Sequence, residues 1–164
     1  MHSECGEDEG SFSSATNEWA TPMDLFSRIA KEYGPFDLDP CCTAKTAKAA
    51  KFFTIADDGL AQDWGRNTVF MNSPYGHAIK HWIKKAYEES FKCGCRVVCL
   101  IPSRTDTRWW YDYCMKADLI VLFKGRIKFE CNDGRKAPAP FPSCLVIFNE
   151  KSIDKPTEFV MMKA

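Results

Sequence analysis

Apolar residues recur along this chain on two periods, near 3.6 and near 2, and the changes from one to the other mark out helices and strands. Leu25, Phe26, Ile29, Ala30 and Tyr33 fall on one helix face. Thr21-Pro22 predicts the start of that helix, with Thr21 as N-cap, Pro22 as first helical residue and Asp24 in the first turn. Gly34-Pro35 predicts its end. Phe36 to Asp39 reads as a short strand closing on a carboxylate and Pro40, residues 43 to 52 as a short basic helix, and Asp57-Asp58-Gly59 as a turn. Thr68 to Met71 is the next strand. After Asn72-Ser73-Pro74-Tyr75-Gly76, the spacing of Ile79, Trp82, Ile83, Ala86, Tyr87 and Ser90 predicts a helix ending near Gly94.

Arg96 to Ile101 is a nearly continuous apolar run, as expected of a strand buried on both faces of a parallel sheet. A helix over 106 to 116 and a strand over Leu119 to Phe123 follow. Arg126 to Phe129 and Cys144 to Phe148 read as strands separated by a Gly- and Pro-rich loop at 131 to 142, and Glu158 to Met162 as a last strand. Strands alternating with helices predict a doubly wound α/β sheet that finishes in antiparallel strands. Residues 1 to 17 are polar and aperiodic and are expected to form a disordered acidic tail. Residues 18 to 164 then make one domain.

Composition narrows the class of protein. A chain of 164 residues supports one domain with a real core. No apolar run approaches the roughly 18 to 20 residues needed to span a bilayer, and the acidic, Ser-rich start lacks a signal-peptide pattern. No membrane association is expected, and an intracellular location is: cytoplasmic in a bacterium or host cell, nuclear in a eukaryote. The nine cysteines include no C-x-x-C pair, and His2, His77 and His81 show no zinc-like spacing with them. Free, mostly buried thiols and no metal are expected. The net charge of zero gives no global attraction for a polyanion. Basic residues nevertheless gather at Arg104 and Arg108 and again at Lys124, Arg126, Lys128, Arg135 and Lys136.

The chemistry sits at the predicted strand ends. In open α/β sheets ligands bind beyond the carboxyl ends of the strands. Three such ends carry polar turns here: Asp39-Pro40, Asn72-Ser73-Pro74-Tyr75 and Pro102-Ser103-Arg104. The Asn72 amide oxygen and nearby backbone carbonyls can accept from a planar amino group, and the Tyr75 ring can stack on the ring that carries it. That arrangement holds an exocyclic nitrogen ready to attack an electrophile. Arg104, Arg108, Trp109 and Trp110 combine cations with aromatics, which suits phosphate and base contacts, although only one of two adjacent tryptophans on a helix faces the core.

These pieces together resemble the phage-type DNA N6-adenine methyltransferases of the Dam family, which use S-adenosylmethionine. The resemblance runs over about residues 18 to 149. It rests on Trp19-Ala20-Thr21-Pro22, Phe36-Asp37-Leu38-Asp39-Pro40, Asp58-Gly59-Leu60 with Trp64, Asn72-Ser73-Pro74-Tyr75-Gly76, Leu100 to Thr107, Gly125 to Phe129, and Phe141-Pro142-Ser143. It implies a Rossmann-like methyltransferase fold without a separate target-recognition domain, with DNA as partner and a homodimer as one way to supply target preference. Trp19, Thr21, Pro22, Asp39, Pro40 and Asp58 are implied as cofactor-binding residues. Thr21-Pro22 would lie along the methionine part, Asp39 on the α-ammonium group, and Asp58 on the ribose or adenine.

Asn72, Ser73, Pro74 and Tyr75 are implied as catalytic. The base leaves its stack to reach Tyr75, while the Asn72 side-chain oxygen and the Ser73 carbonyl accept the two amino hydrogens. Arg104, Arg108, Arg126, Lys128 and Arg135 are implied as nucleic-acid contacts. Ser73 departs from the proline usual at that position; it keeps the carbonyl and gives up the fixed φ. Cytosine N4, an RNA adenine or a glutamine amide would present the same planar amino group to the motif. A non-catalytic nucleic-acid-binding relative would keep the fold alone.

Overall fold

The computed structural model describes residues 19–130, 135–150 and 155–164. The expected tail at 1 to 17 lies outside the described residues. In chain order the elements are α1 (Met23–Tyr33), β1 (Leu38–Asp39), β2 (Lys51–Phe52), β3 (Thr68–Met71), α2 (Ile79–Cys93), β4 (Arg96–Pro102) and α3 (Arg108–Asp112). A 3-10 turn (Cys114–Lys116) then leads to β5 (Leu119–Lys124), β6 (Lys128–Glu130), β7 (Lys136–Pro138), β8 (Ser143–Phe148) and β9 (Glu158–Lys163).

Seven strands form one sheet in the order β2-β1-β3-β4-β8-β5-β9. The ladder from β2 through β1 and β3 to β4 is parallel throughout. β8 runs antiparallel between β4 and β5, and β9 lies parallel to β5 at the outer edge. The mixed α/β sheet expected from the alternation is therefore present. The antiparallel step sits inside the sheet, at β8, and the final strand returns to the common direction. β6 and β7 pair as a separate antiparallel hairpin.

Core packing follows the apolar runs. All six residues of β8 and six of the seven in β4 are buried, because each strand has a neighbour on both edges and cover on both faces. Phe26 of α1 and Phe36 meet Phe70 of β3 at ring separations of 5.1 and 5.3 Å. Tyr87 of α2 packs edge-on against Phe148 of β8 at 5.9 Å. Each large apolar side chain buried this way contributes roughly 1.5–3 kcal/mol. α2 ends on Gly94 at φ 66°, the left-handed cap that its glycine predicts. Of the adjacent pair, Trp110 is buried and Trp109 is partly exposed.

Four local expectations are corrected. Residues 43 to 52 are turns followed by β2, not a helix. The Asp39 side chain claims the Lys48 amide at 3.0 Å and the Asp39 carbonyl claims the Phe53 amide at 2.9 Å. Those tertiary bonds outweigh the weak helix propensity of an Ala- and Lys-rich stretch. The helix expected over 106 to 116 is α3 plus the 3-10 turn, broken at Tyr113, whose φ of −128° is not helical. The loop expected over 131 to 142 contains β7. Thr21 makes no side-chain cap on α1; Pro22 takes the cap position, its carbonyl accepting from Phe26 N at 2.9 Å. The Thr21 hydroxyl is used elsewhere.

Candidate active site

Because β1, β3 and β4 are adjacent and parallel, their carboxyl ends share one edge of the sheet. Asp39, at the end of β1, is only 3% exposed. Its Oδ2 accepts from Lys48 N at 3.0 Å and its Oδ1 from Cys41 N at 3.3 Å. Burial raises its pKa from 3.8 to about 6, against the pull of those two amides and of the Lys48 charge. Among the described residues no lysine or arginine forms an ion pair with it. Asp39 opens on a cavity that Trp19, Thr21, Pro40, Asp58, Asn72, Ser73 and Pro74 also line. A desolvated carboxylate there fits a ligand that brings its own cation, as the α-ammonium of S-adenosylmethionine does.

Of the six residues implied for the cofactor, five line this cavity. Pro22 does not; it is buried beside it, capping α1. Asp58 lies exposed at the rim with φ 51°. The neighbouring Gly59 passes so close to β1 that a Cβ there would meet the Pro40 carbonyl oxygen at 2.0 Å. Trp64 fixes this turn, its indole N–H donating to the Gly59 carbonyl at 2.9 Å. Trp64 is in turn held by buried Glu89, which accepts from Trp64 N at 3.0 Å and from Lys85 Nζ at 2.7 Å.

The Asn72 amide is fixed at both ends. Its Nδ2 donates to the Trp19 carbonyl at 2.6 Å and to Thr21 Oγ1 at 2.9 Å. Its Oδ1 accepts from the Tyr75 hydroxyl at 3.1 Å. Burial pushes the Tyr75 pKa further above its ordinary value, so the phenol stays protonated and remains a donor. Tyr75 is 6% exposed and stands edge-on to Phe141 at 5.2 Å and Phe129 at 6.2 Å. Ser73 is buried, and its hydroxyl finds no partner among the described residues.

The five basic residues implied for nucleic acid are all exposed. The Arg104 guanidinium lies over Phe141 at 5.8 Å, next to Tyr75, whereas Arg108 pairs with Asp112 at 3.4 Å. Lys128 belongs to the β6–β7 hairpin, Arg126 precedes it and Arg135 precedes β7. The hairpin is attached to the site: Glu130 N donates to the Ala20 carbonyl at 3.3 Å, and Trp19 stands edge-on to Phe129 at 5.6 Å.

Several residues near the site escaped the sequence reading. Cys41, Cys42, Lys48, Ile55 and Trp82 also line the cavity. Ile55 is 97% exposed at its rim, an apolar side chain left in solvent that the sequence pattern does not distinguish from a core position. The bond from Lys48 to Asp39 is made by its backbone amide, which has no sequence signature. The described cysteines are free; burial pushes the thiols of Cys41 and Cys99 well up and that of Cys42 to about 12, which keeps them protonated.

Comparison with known proteins gives a concordant result. A family model described as DNA N-6-adenine-methyltransferase (Dam) matches residues 11–163. The DNA N-6-adenine-methyltransferase of Haemophilus phage HP1 (strain HP1c1) is 28% identical over 139 residues, covering 82% of this chain and 79% of that protein. YfdM of Escherichia coli (strain K12), named as a methyltransferase, is 35% identical over 65 residues, 36% of this chain and 71% of its own length. A crystal structure from Listeria monocytogenes, described as a class I S-adenosylmethionine-dependent methyltransferase, superposes with a TM-score of 0.59. It is 13% identical and covers 93% of this chain and 68% of its own. That likeness supports the class I methyltransferase fold.

Proposed function

The chain belongs to the DNA N-6-adenine-methyltransferase (Dam) family, and on that premise we propose how its own residues divide the work of methylating adenine in DNA. S-adenosylmethionine, when bound, supplies the sulfonium methyl group that N6 takes as the carbon–sulfur bond breaks, the electron pair leaving with sulfur and a proton leaving nitrogen afterwards. Asp39 holds the cofactor end of the cavity by charge, with Trp19, Thr21, Pro40 and Asp58 around it. Asn72 Oδ1 and the Ser73 carbonyl accept the two amino hydrogens and turn the nitrogen lone pair toward the donor. Pro74 stiffens the turn that presents them, and Tyr75 supports the base from the side. No general base is required, because the amino proton becomes acidic only once the new bond has formed.

Arg104, Arg126, Lys128 and Arg135 contact the DNA backbone, with Arg108 at the periphery. Their exposure and the attachment of the hairpin to Trp19 and Ala20 support that reading. The seven-stranded sheet, with the β6–β7 hairpin tied to it through Ala20 and Trp19, supports residues 18 to 164 as one methyltransferase domain. Among the described residues no helix is long and apolar enough to cross a membrane, and a DNA substrate favours an intracellular location. A homodimer is supported by the exposed Phe159, Val160 and Met161 of the edge strand β9, and sedimentation velocity tests it.

The observation that carries the proposal is the fixed Asn72 amide beside the buried Asp39 carboxylate. Incubation with labelled S-adenosylmethionine and DNA, followed by nucleoside analysis, is expected to yield N6-methyladenine. Asn72→Ala is expected to abolish it while leaving cofactor affinity largely intact. Unchanged methylation by that variant removes Asn72 from the mechanism.

A further inference from the structure

We infer that the Trp19 carbonyl and the Thr21 hydroxyl make this site select an amide, not a carboxylate, at position 72, with Thr21 acting as a positioning residue. The inference rests on the reading of Asn72 Oδ1 as the acceptor of the target amino group. An amide is nearly symmetric in shape. Turned the other way, it would face the amino group with two donors of its own and hold nothing.

Something must therefore choose its orientation, and the three partners of Asn72 differ in their power to do so. The Tyr75 and Thr21 hydroxyls can each donate or accept. A backbone carbonyl can only accept. The Trp19 oxygen, at 2.6 Å, therefore dictates that Nδ2 faces it and that Oδ1 faces away. Thr21 Oγ1, at 2.9 Å, takes the second hydrogen of Nδ2 and so fixes the plane of the amide as well as its end. Thr21 is 2% exposed, which keeps water from replacing that oxygen. With Tyr75 on one side of Oδ1, the remaining lone pair is left for the substrate.

A carboxylate would be the stronger acceptor for an amino group. In this setting it cannot be used. An oxygen in place of Nδ2 would confront the Trp19 carbonyl, acceptor against acceptor in a desolvated site, and the side chain would have to rotate out of position. The segment that imposes this is itself anchored, through Ala20 to Glu130 and through the Trp19 ring to Phe129 and Phe141.

The test uses the full chain in single-turnover methylation of DNA at saturating S-adenosylmethionine, with cofactor affinity measured separately by calorimetry. Thr21→Val, which keeps the shape and loses the oxygen, is expected to slow methyl transfer roughly tenfold, the effect of one lost hydrogen bond that holds reacting groups. Its cofactor affinity should stay within about twofold, because valine keeps the shape that Thr21 presents to the cofactor end of the cavity and the lost oxygen is the one bonded to Asn72. Thr21→Ser should restore the rate. Asn72→Asp should transfer slowly despite its stronger acceptor.

Full activity in Asn72→Asp, or an undiminished rate in Thr21→Val, overturns the inference. So does a Thr21→Val defect confined to cofactor affinity. If Asn72→Ala itself methylates normally, the reading of the site fails instead, and the two failures are distinguished.

Discussion

Acidifying the solution through pH 6 should loosen cofactor binding, because Asp39 then gains a proton. Burial holds its pKa at about 6, against 3.8 for an ordinary aspartate. The difference corresponds to about 3 kcal/mol, at roughly 1.36 kcal/mol per pH unit. With the side chain 3% exposed, solvent screening takes little from that figure. In the unliganded protein the raised pKa means that between about pH 4 and 6 the folded state keeps a proton which the unfolded state releases. Stability is therefore greatest below that window with respect to this group, and falls as pH rises through it. A cationic ligand reverses the balance by favouring the ionised form. Affinity for S-adenosylmethionine should rise as pH increases from 5 to 7, changing up to about tenfold per unit below 6, with proton release on binding. Calorimetry in buffers of different ionisation heat, at pH 5, 6 and 7, measures both quantities. Asp39→Asn should bind weakly and with little pH dependence in that range. Equal wild-type affinity at pH 5 and 7, or an unchanged profile in Asp39→Asn, refutes the assignment of Asp39 to the cofactor cation.

Other perturbations follow from the same geometry. Glu89→Ala leaves the buried Trp64 amide without its acceptor and Lys85 without its partner; a loss of about 2 kcal/mol by urea denaturation is expected. Ser73→Ala removes a buried hydroxyl that has no partner among the described residues, so the unliganded protein should melt at the same temperature or higher, by up to about 1 kcal/mol in stability. Lys128→Ala should weaken DNA binding across sequences and reduce the slope of log affinity against log salt by roughly 0.9. Cofactor affinity should be unaffected by that change, and fluorescence anisotropy over a salt series checks the slope.

Much of the scaffold was legible because it follows local period. The spacing of Ile79, Trp82, Ile83 and Ala86 gave α2, and the apolar runs gave β4 and β8, since burial on all sides leaves no polar positions to blur the pattern. The shared edge for Asp39 and Asn72 was legible because both end strands read as members of one parallel sheet, although the crossover between them, expected to be helical, is turns and β2. What stayed hidden depends on contacts distant in sequence. The Ala- and Lys-rich stretch before β2 has helix-like composition, and only the demand of Asp39 for backbone donors unwinds it. The Trp19 carbonyl that orients Asn72 is backbone, so no residue type announces it. Thr21 carries the marks of an N-cap, yet its oxygen bonds a side chain 51 positions away. The place of β8 between β4 and β5 was equally unreadable, because an apolar run does not name its neighbours.

That place governs the order in which the protein can assemble. β4 and β5 do not pair with each other; each pairs with β8, which is made after both. Until β8 is synthesised, β5 has no neighbour in the sheet, since its partners β8 and β9 both follow it, and the apolar edge of β4, Val97 to Ile101, lacks its own. Such an edge, rich in β-branched residues and bare of charge, is where nascent chains stick to one another. Closing it requires contacts between segments far apart in sequence, the kind that form slowly. Synthesis that stalls before β8 would therefore leave a parallel half-sheet with an open flank along β4.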